Sequence, residues 1–161
     1  MRKIWLIALL TVMFSTVAGF AKSKADNTLI YEIEGAGAST QGNYLVKVTY
    51  ITKEKKIPDE LLKKAAVHGV LFRGFSNPAQ RITQKPLAGS AANEAQHIEF
   101  YKEFFGEEGN AASFASIVPG SKTVSKSGKE YRVGATITVS KENLLKYLQE
   151  LGVVKNLNSA F

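Results

Sequence analysis

The sequence predicts an α+β fold, a largely antiparallel sheet of four to six strands with three helices packed mainly on one face. Three observations carry that prediction. Apolar and polar residues alternate along Leu29–Glu34, Tyr44–Tyr50 and Tyr131–Val139, the period of a half-buried strand. Three other stretches carry apolar residues at helical spacing. The joins between neighbouring strand runs are short and rich in Gly, Ser and Thr, which suits antiparallel pairing.

The order begins with a segment outside the fold. Arg2 and Lys3 precede an apolar stretch from Ile4 to Val12 that continues to Ala21. A basic start, a short apolar centre and small residues near its end describe a secretory signal peptide. Gly19 and Ala21 fit the small-residue positions of the cut, with Ser23 and Ala25 as a second site. At about 17 residues the stretch sits at the lower limit for a membrane span, so cleavage is expected and no span in the mature form. Residues 22–27 then read as a short linker and 28–161 as one domain.

In Leu29–Glu34, Leu29, Tyr31 and Ile33 face one way and Glu32 and Glu34 the other. After a turn bracketed by Gly35, Gly37 and Gly42, Tyr44, Val46, Val48 and Tyr50 alternate with Lys47 and Thr49. Pro58, Asp59 and Glu60 suit the first turn of a helix. Its buried face is Leu61, Leu62, Ala65 and Ala66, with Lys63 and Lys64 expected in water. Val70-Leu71-Phe72 reads as a short buried strand, and 75–92 as a long irregular segment of the kind that is often functional. Asn93 is the expected cap of a second helix whose face is Ala95, Ile98, Tyr101, Phe104 and Phe105. Phe114–Val118 is a further strand, and Lys122–Lys126 with Glu130–Val139 form a hairpin turned at Ser127-Gly128. Ser140 is placed as the cap of a last helix with Leu144, Leu145, Leu148 and Leu151 as its stripe, and Gly152 as its end.

Composition excludes several chemistries. The 161 residues hold 21 basic and 14 acidic side chains, a charge of +7, and no cysteine. Without cysteine there is no disulfide, thiolate metal site, thiol nucleophile or lipid-bearing thioether. Loss of residues 1–21 removes Arg2 and Lys3 and leaves 140 residues with a charge of +5. Export argues against nucleic acid as the partner of that charge; an acidic envelope protein, an anionic glycan or a lipid head group fits better.

Catalytic motifs are missing. The stretch Gly35-Ala36-Gly37-Ala38-Ser39-Thr40-Gln41-Gly42 lacks the Gly-Lys-Ser/Thr of a phosphate loop, and Thr40 stands where a dinucleotide loop needs Gly or Ala. His68 and His97 are the only histidines, and neither lies in a metal-ligand cluster. No metal or other cofactor and no catalytic residue is therefore assigned, and oligomeric state is not legible. A small exported hydrolase using His97 with Glu94 or Glu99 is the alternative reading. The main candidate site is basic: Arg73, Arg81 and Lys85 in and before the long segment, beside Phe75.

Two stretches of the chain resemble known families. Ile33-Glu34-Gly35-Ala36-Gly37 and Gly128-Lys129-Glu130-Tyr131-Arg132-Val133, with Val139, Leu144 and Leu148, resemble the periplasmic flagellar-assembly protein and related surface-lipoprotein domains. The chain departs from that pattern where Tyr44–Tyr50 replaces an expected helix, and it lacks the lipid-bearing cysteine. Val67-His68-Gly69-Val70-Leu71-Phe72-Arg73-Gly74-Phe75 is similar to a segment of uncharacterised small exported bacterial proteins. The first resemblance implies an α+β module of the cell envelope, periplasmic or secreted, that binds or assembles, and it transfers no catalytic residue; the second implies no established activity.

Overall fold

The structure is a computed structural model that describes residues 30–38, 40–89 and 91–155. The expected signal segment 1–21, the linker 22–27 and Leu29 lie outside the described residues. The expected α+β architecture is present: a five-stranded antiparallel sheet, a separate two-stranded ribbon and four α-helices.

The sheet is built around its longest strand. β1 (Tyr31–Gly35) pairs with β2 (Tyr44–Thr52), and β2 pairs with β7 (Glu130–Val139). The far edge of β7 is shared by β5 (Ala115–Ile117) and β6 (Thr123–Ser127). Register puts Val46 opposite Ile137 and Val48 opposite Ala135, so the middle of one face of the central pair is apolar and buried, with half-buried Tyr44 and Tyr50 flanking it. That is the alternation read in the sequence, since residues two apart share a face. The other face carries Lys47, Thr49 and an ion pair between Arg132 and Glu32.

Helix α1 (Asp59–His68) crosses the buried face and packs on β2, β5 and β7. Its apolar side is Leu62, Ala65, Ala66 and Val67. Lys64 does not face water as expected. It is only 7% exposed, and its ammonium donates a 2.5 Å hydrogen bond to the carbonyl of Gly106. That carbonyl follows helix α3 (Ile98–Phe104), an end where unsatisfied carbonyls attract a cation.

Val70-Leu71-Phe72 is not a strand either. The chain continues from α1 into a π turn, Gly69–Arg73, closed by Gly74 N–H on Gly69 O at 2.8 Å. A short apolar run fits a buried helical turn as well as a strand. The turn stops at Gly74, whose φ of 69° and ψ of −172° belong to a region that glycine alone occupies comfortably. A side chain there would meet the carbonyl oxygen of Gln84, 2.3 Å from the position of its Cβ.

Within the segment expected to be irregular lies a ribbon, β3 (Phe75–Asn77) with β4 (Ile82–Gln84). Asn77 ties it to the sheet by donating from Nδ2 to Gly35 O at 2.7 Å. The second expected helix is divided at His97 into α2 (Ala91–Gln96) and α3, which raises the helix count from three to four. Asn93 lies inside α2 rather than capping it. Phe72, Tyr101, Phe104, Phe105, Phe114 and Tyr147 stack edge-on and face-on between α1, α3 and the last helix.

Helix α4 (Lys141–Glu150) is bounded differently at its two ends. Ser140 makes no side-chain cap; instead the Gly42 carbonyl accepts the Glu142 N–H at 3.1 Å, so the β1–β2 loop supplies the cap. The C-terminus follows expectation. Gly152 has a φ of 70°, Val153 N–H bonds Leu148 O at 2.9 Å, and Gly152 N–H bonds Gln149 O at 3.0 Å. These are the two bonds of a Schellman ending, with buried Val153 and Leu148 as its apolar contact. Leu151 lies beyond the buried stripe and is 51% exposed.

Candidate functional site

A cleft of 630 Å³ opens beside the end of the β2–β7 pair where Tyr44 faces Val139. Each wall is built by an identifiable local rule. Lys141, Leu145 and Gln149 are spaced i, i+4, i+8 on α4, a stripe next to the buried Leu144 and Leu148. Opposite them runs the strand exit from Gln84 to Gly89, and α2 contributes Asn93 and Gln96.

These walls are anchored from behind. The π turn leaves carbonyls available, and the loop uses two: Leu87 N–H bonds Val70 O and Ala88 N–H bonds Leu71 O, both at 3.0 Å. Asn93 holds α2 against the C-terminal segment by donating to Val153 O at 2.8 Å and accepting from the Tyr101 hydroxyl at 2.8 Å. Burial pushes the Tyr101 phenol up to about 12, with the negative charge of Glu94 adding to the effect, so that hydroxyl remains a donor.

A second brace lies one residue on. The Tyr31 hydroxyl sits 2.7 Å from His68 Nδ1, and His68 Nε2 lies 3.2 Å from Glu94 Oε1. Burial raises the Tyr31 pKa, outweighing the opposite effect of Arg73, so the phenol carries its proton and donates. Nδ1 is then the acceptor, the ring proton belongs to Nε2, and Nε2 donates to Glu94. Burial also lowers the His68 pKa below its ordinary value despite Glu94. The imidazole is neutral at pH 7 and joins β1, α1 and α2 in one chain of hydrogen bonds.

Chemically the cleft is two-sided. Lys85, Lys141 and Lys155 line it, and among the described residues lining it there is no carboxylate. Pro86, Leu87, Ala88, Leu145 and Val154 supply apolar surface, and four side-chain amides lie between. Lys141 Nζ stands 5.3 Å from the Tyr44 ring centroid, within cation–π range. Among the described residues none of the three lysines forms a salt bridge, so their charge is available to a ligand. An adjoining cleft of 290 Å³ shares Tyr44 and Gln84 as walls and is closed by Leu45, Phe75 and Ile82, with no charged residue.

The four basic-site candidates separate on this frame. Lys85 lines the large cleft, and Phe75 lines the small one with its ring centroid 5.2 Å from that of Tyr44 in a T-shaped arrangement. Arg73 is occupied elsewhere: it stacks 4.2 Å over the Tyr31 ring and donates to Tyr31 O at 3.0 Å. Arg81 stands at the turn of the β3–β4 ribbon with a φ of 54°, at the end away from Lys85. His97 lies at the break between α2 and α3. Both glutamates beside it have other partners, Glu94 with His68 and Glu99 with Lys102 at 3.2 Å.

Among the described residues no group of three His, Asp or Glu side chains could hold a metal ion. No helix among them is long and apolar enough to cross a membrane.

Fold and cleft together define a class: an α+β domain whose sheet is covered by helices on one face, with a lysine-rimmed cleft at one end. No family model, curated protein or solved structure matches the chain.

Proposed function

We propose that this is an exported binding module of the bacterial envelope, without catalytic activity, that takes an anionic ligand in the lysine-rimmed cleft. One observation carries the reading: three lysines that form no salt bridge among the described residues line a cleft that holds no carboxylate among its described lining residues. A cleft lined by one sign of charge concentrates its field between low-dielectric walls and draws in ligands of the opposite sign. The volume falls within the range of about 300–1,000 Å³ usual for small-molecule sites. Lys85, read from the sequence as part of a basic site, keeps that role here; Lys141 and Lys155 replace Arg73 and Arg81.

Calorimetric titration of the purified protein with citrate, inorganic phosphate, glucuronate and laurate tests this. At least one anion should bind with an affinity that falls as salt rises. Binding should be lost in the triple variant Lys85→Gln/Lys141→Gln/Lys155→Gln. Absence of binding by the whole panel, or equal binding by the variant, overturns the proposal. Cell fractionation with N-terminal sequencing tests export; the mature chain should begin at Lys22 or Asp26 and be found outside the cytoplasm.

A further inference from the structure

The two adjoining clefts differ in a way that identifies the ligand more closely. The larger carries the three lysines at its rim and an apolar floor of Pro86, Leu87, Leu145 and Val154. The smaller, beyond Tyr44 and Gln84, is walled by Leu45, Phe75 and Ile82 and has no charge at all. A compact polar anion such as a sugar acid or citrate would satisfy the lysines and leave this apolar surface wet. A neutral hydrocarbon would cover the floor and leave the lysines without a counter-charge. A molecule with both parts matches both kinds of surface.

We infer that the ligand is a single-chain anionic amphiphile. Its head group lies among Lys85, Lys141 and Lys155, and its alkyl chain runs over Leu145 and Val154 and past the Tyr44 ring toward Phe75 and Ile82. Charge complementarity fixes the sign of the head, and the uncharged cleft that shares Tyr44 and Gln84 with the lysine-bearing one offers apolar wall to the chain. Carboxylate and phosphate monoester heads meet the lysines by the same chemistry. This inference rests on the cleft being an anion site, and the experiment separates the two claims.

The test is a set of titrations below the micelle concentration with acetate, hexanoate, octanoate, decanoate and laurate, beside dodecanol and lauryl phosphate. Each added methylene should tighten binding by up to about fourfold while the chain still finds apolar wall. Dodecanol should bind more weakly than laurate, and each Lys→Gln change should weaken laurate by about 1.5- to fivefold. Whichever of laurate and lauryl phosphate binds more tightly identifies the head group. Ile82→Gln, on the partly exposed ribbon, should weaken laurate and decanoate but leave hexanoate unchanged, with a thermal melt confirming that the variant is folded. If acetate, citrate or phosphate binds as tightly as laurate, the amphiphile is wrong and the anion cleft stands. If dodecanol equals laurate and the lysine variants change nothing, both readings fall.

Discussion

Replacing Tyr31 by Phe removes one oxygen from the brace behind the cleft and nothing else. The ring stays, so the Arg73 guanidinium keeps its stacking partner at 4.2 Å, and its hydrogen bond to the Tyr31 main-chain carbonyl is untouched. What is lost is the 2.7 Å bond from the phenol to His68 Nδ1. A neutral buried hydrogen bond contributes about 0.5–1.5 kcal/mol net, and an acceptor left unpaired costs about 1–3 kcal/mol. The His68 side chain keeps 17% of its exposure, so water partly replaces the lost donor. The expected loss is therefore about 1–2 kcal/mol, a fall of roughly 0.5–1 M in the urea midpoint for a typical slope. Urea unfolding at pH 7, followed by far-ultraviolet circular dichroism, measures it. A change below about 0.3 kcal/mol would show that the bond is not holding β1 to α1.

The same brace has a pH signature. The folded His68 binds its proton less readily than the unfolded one, because burial outweighs Glu94. Between the folded pKa and about 6.5 the unfolded chain therefore holds more protons, so stability is full above 6.5 and falls as pH drops below it. The slope from this single proton cannot exceed about 1.4 kcal/mol per pH unit. His68→Gln should flatten the difference between stability at pH 7 and at pH 5.5; an unchanged profile would refute the assignment.

Two other substitutions test the frame of the cleft. Gly74→Ala forces a side chain into a glycine-only conformation, with its Cβ 2.3 Å from Gln84 O. It should cost at least about 2 kcal/mol and lower the thermal midpoint by several degrees; a stability equal to the parent's would contradict the conformation. Lys64→Met keeps the packing of the stem but deletes the ammonium that meets Gly106 O. A loss of about 1.5–3 kcal/mol is expected by chemical denaturation, and a gain would mean that the buried charge was a burden rather than a cap.

Much of the sheet was legible in the sequence because period-two alternation is a local property. β2 and β7 could be read directly, and the Schellman ending of α4 followed from Gly152 and Val153. The misreadings share a cause, which is that the deciding partner is distant along the chain. Nothing near Lys64 announces that Gly106 will receive it, and nothing near Ser140 says that Gly42 will cap α4 in its place. Val70-Leu71-Phe72 carries no period because every residue is buried, so strand and helical turn look alike. The site was legible to the same degree. Lys85 and Phe75 stood out as a charge and an aromatic in one loop, but Lys141 sits on a helix face that reads as ordinary solvated charge. Its role comes only from Tyr44 and the 84–89 loop being brought opposite it. His68 was visible as one of two histidines, while its partners Tyr31 and Glu94 are 37 and 26 residues away.

Titration of the ¹⁵N-labelled protein with laurate, followed by two-dimensional amide spectra, locates the site without any substitution. The lysine-rimmed cleft predicts saturable shifts at Leu87, Ala88, Gly89, Gln96, Gln149 and Lys155, with the β6–β7 hairpin from Thr123 to Arg132 unmoved. Shifts confined to that hairpin or to the Arg73–Tyr31 edge, with the cleft amides silent, would contradict it.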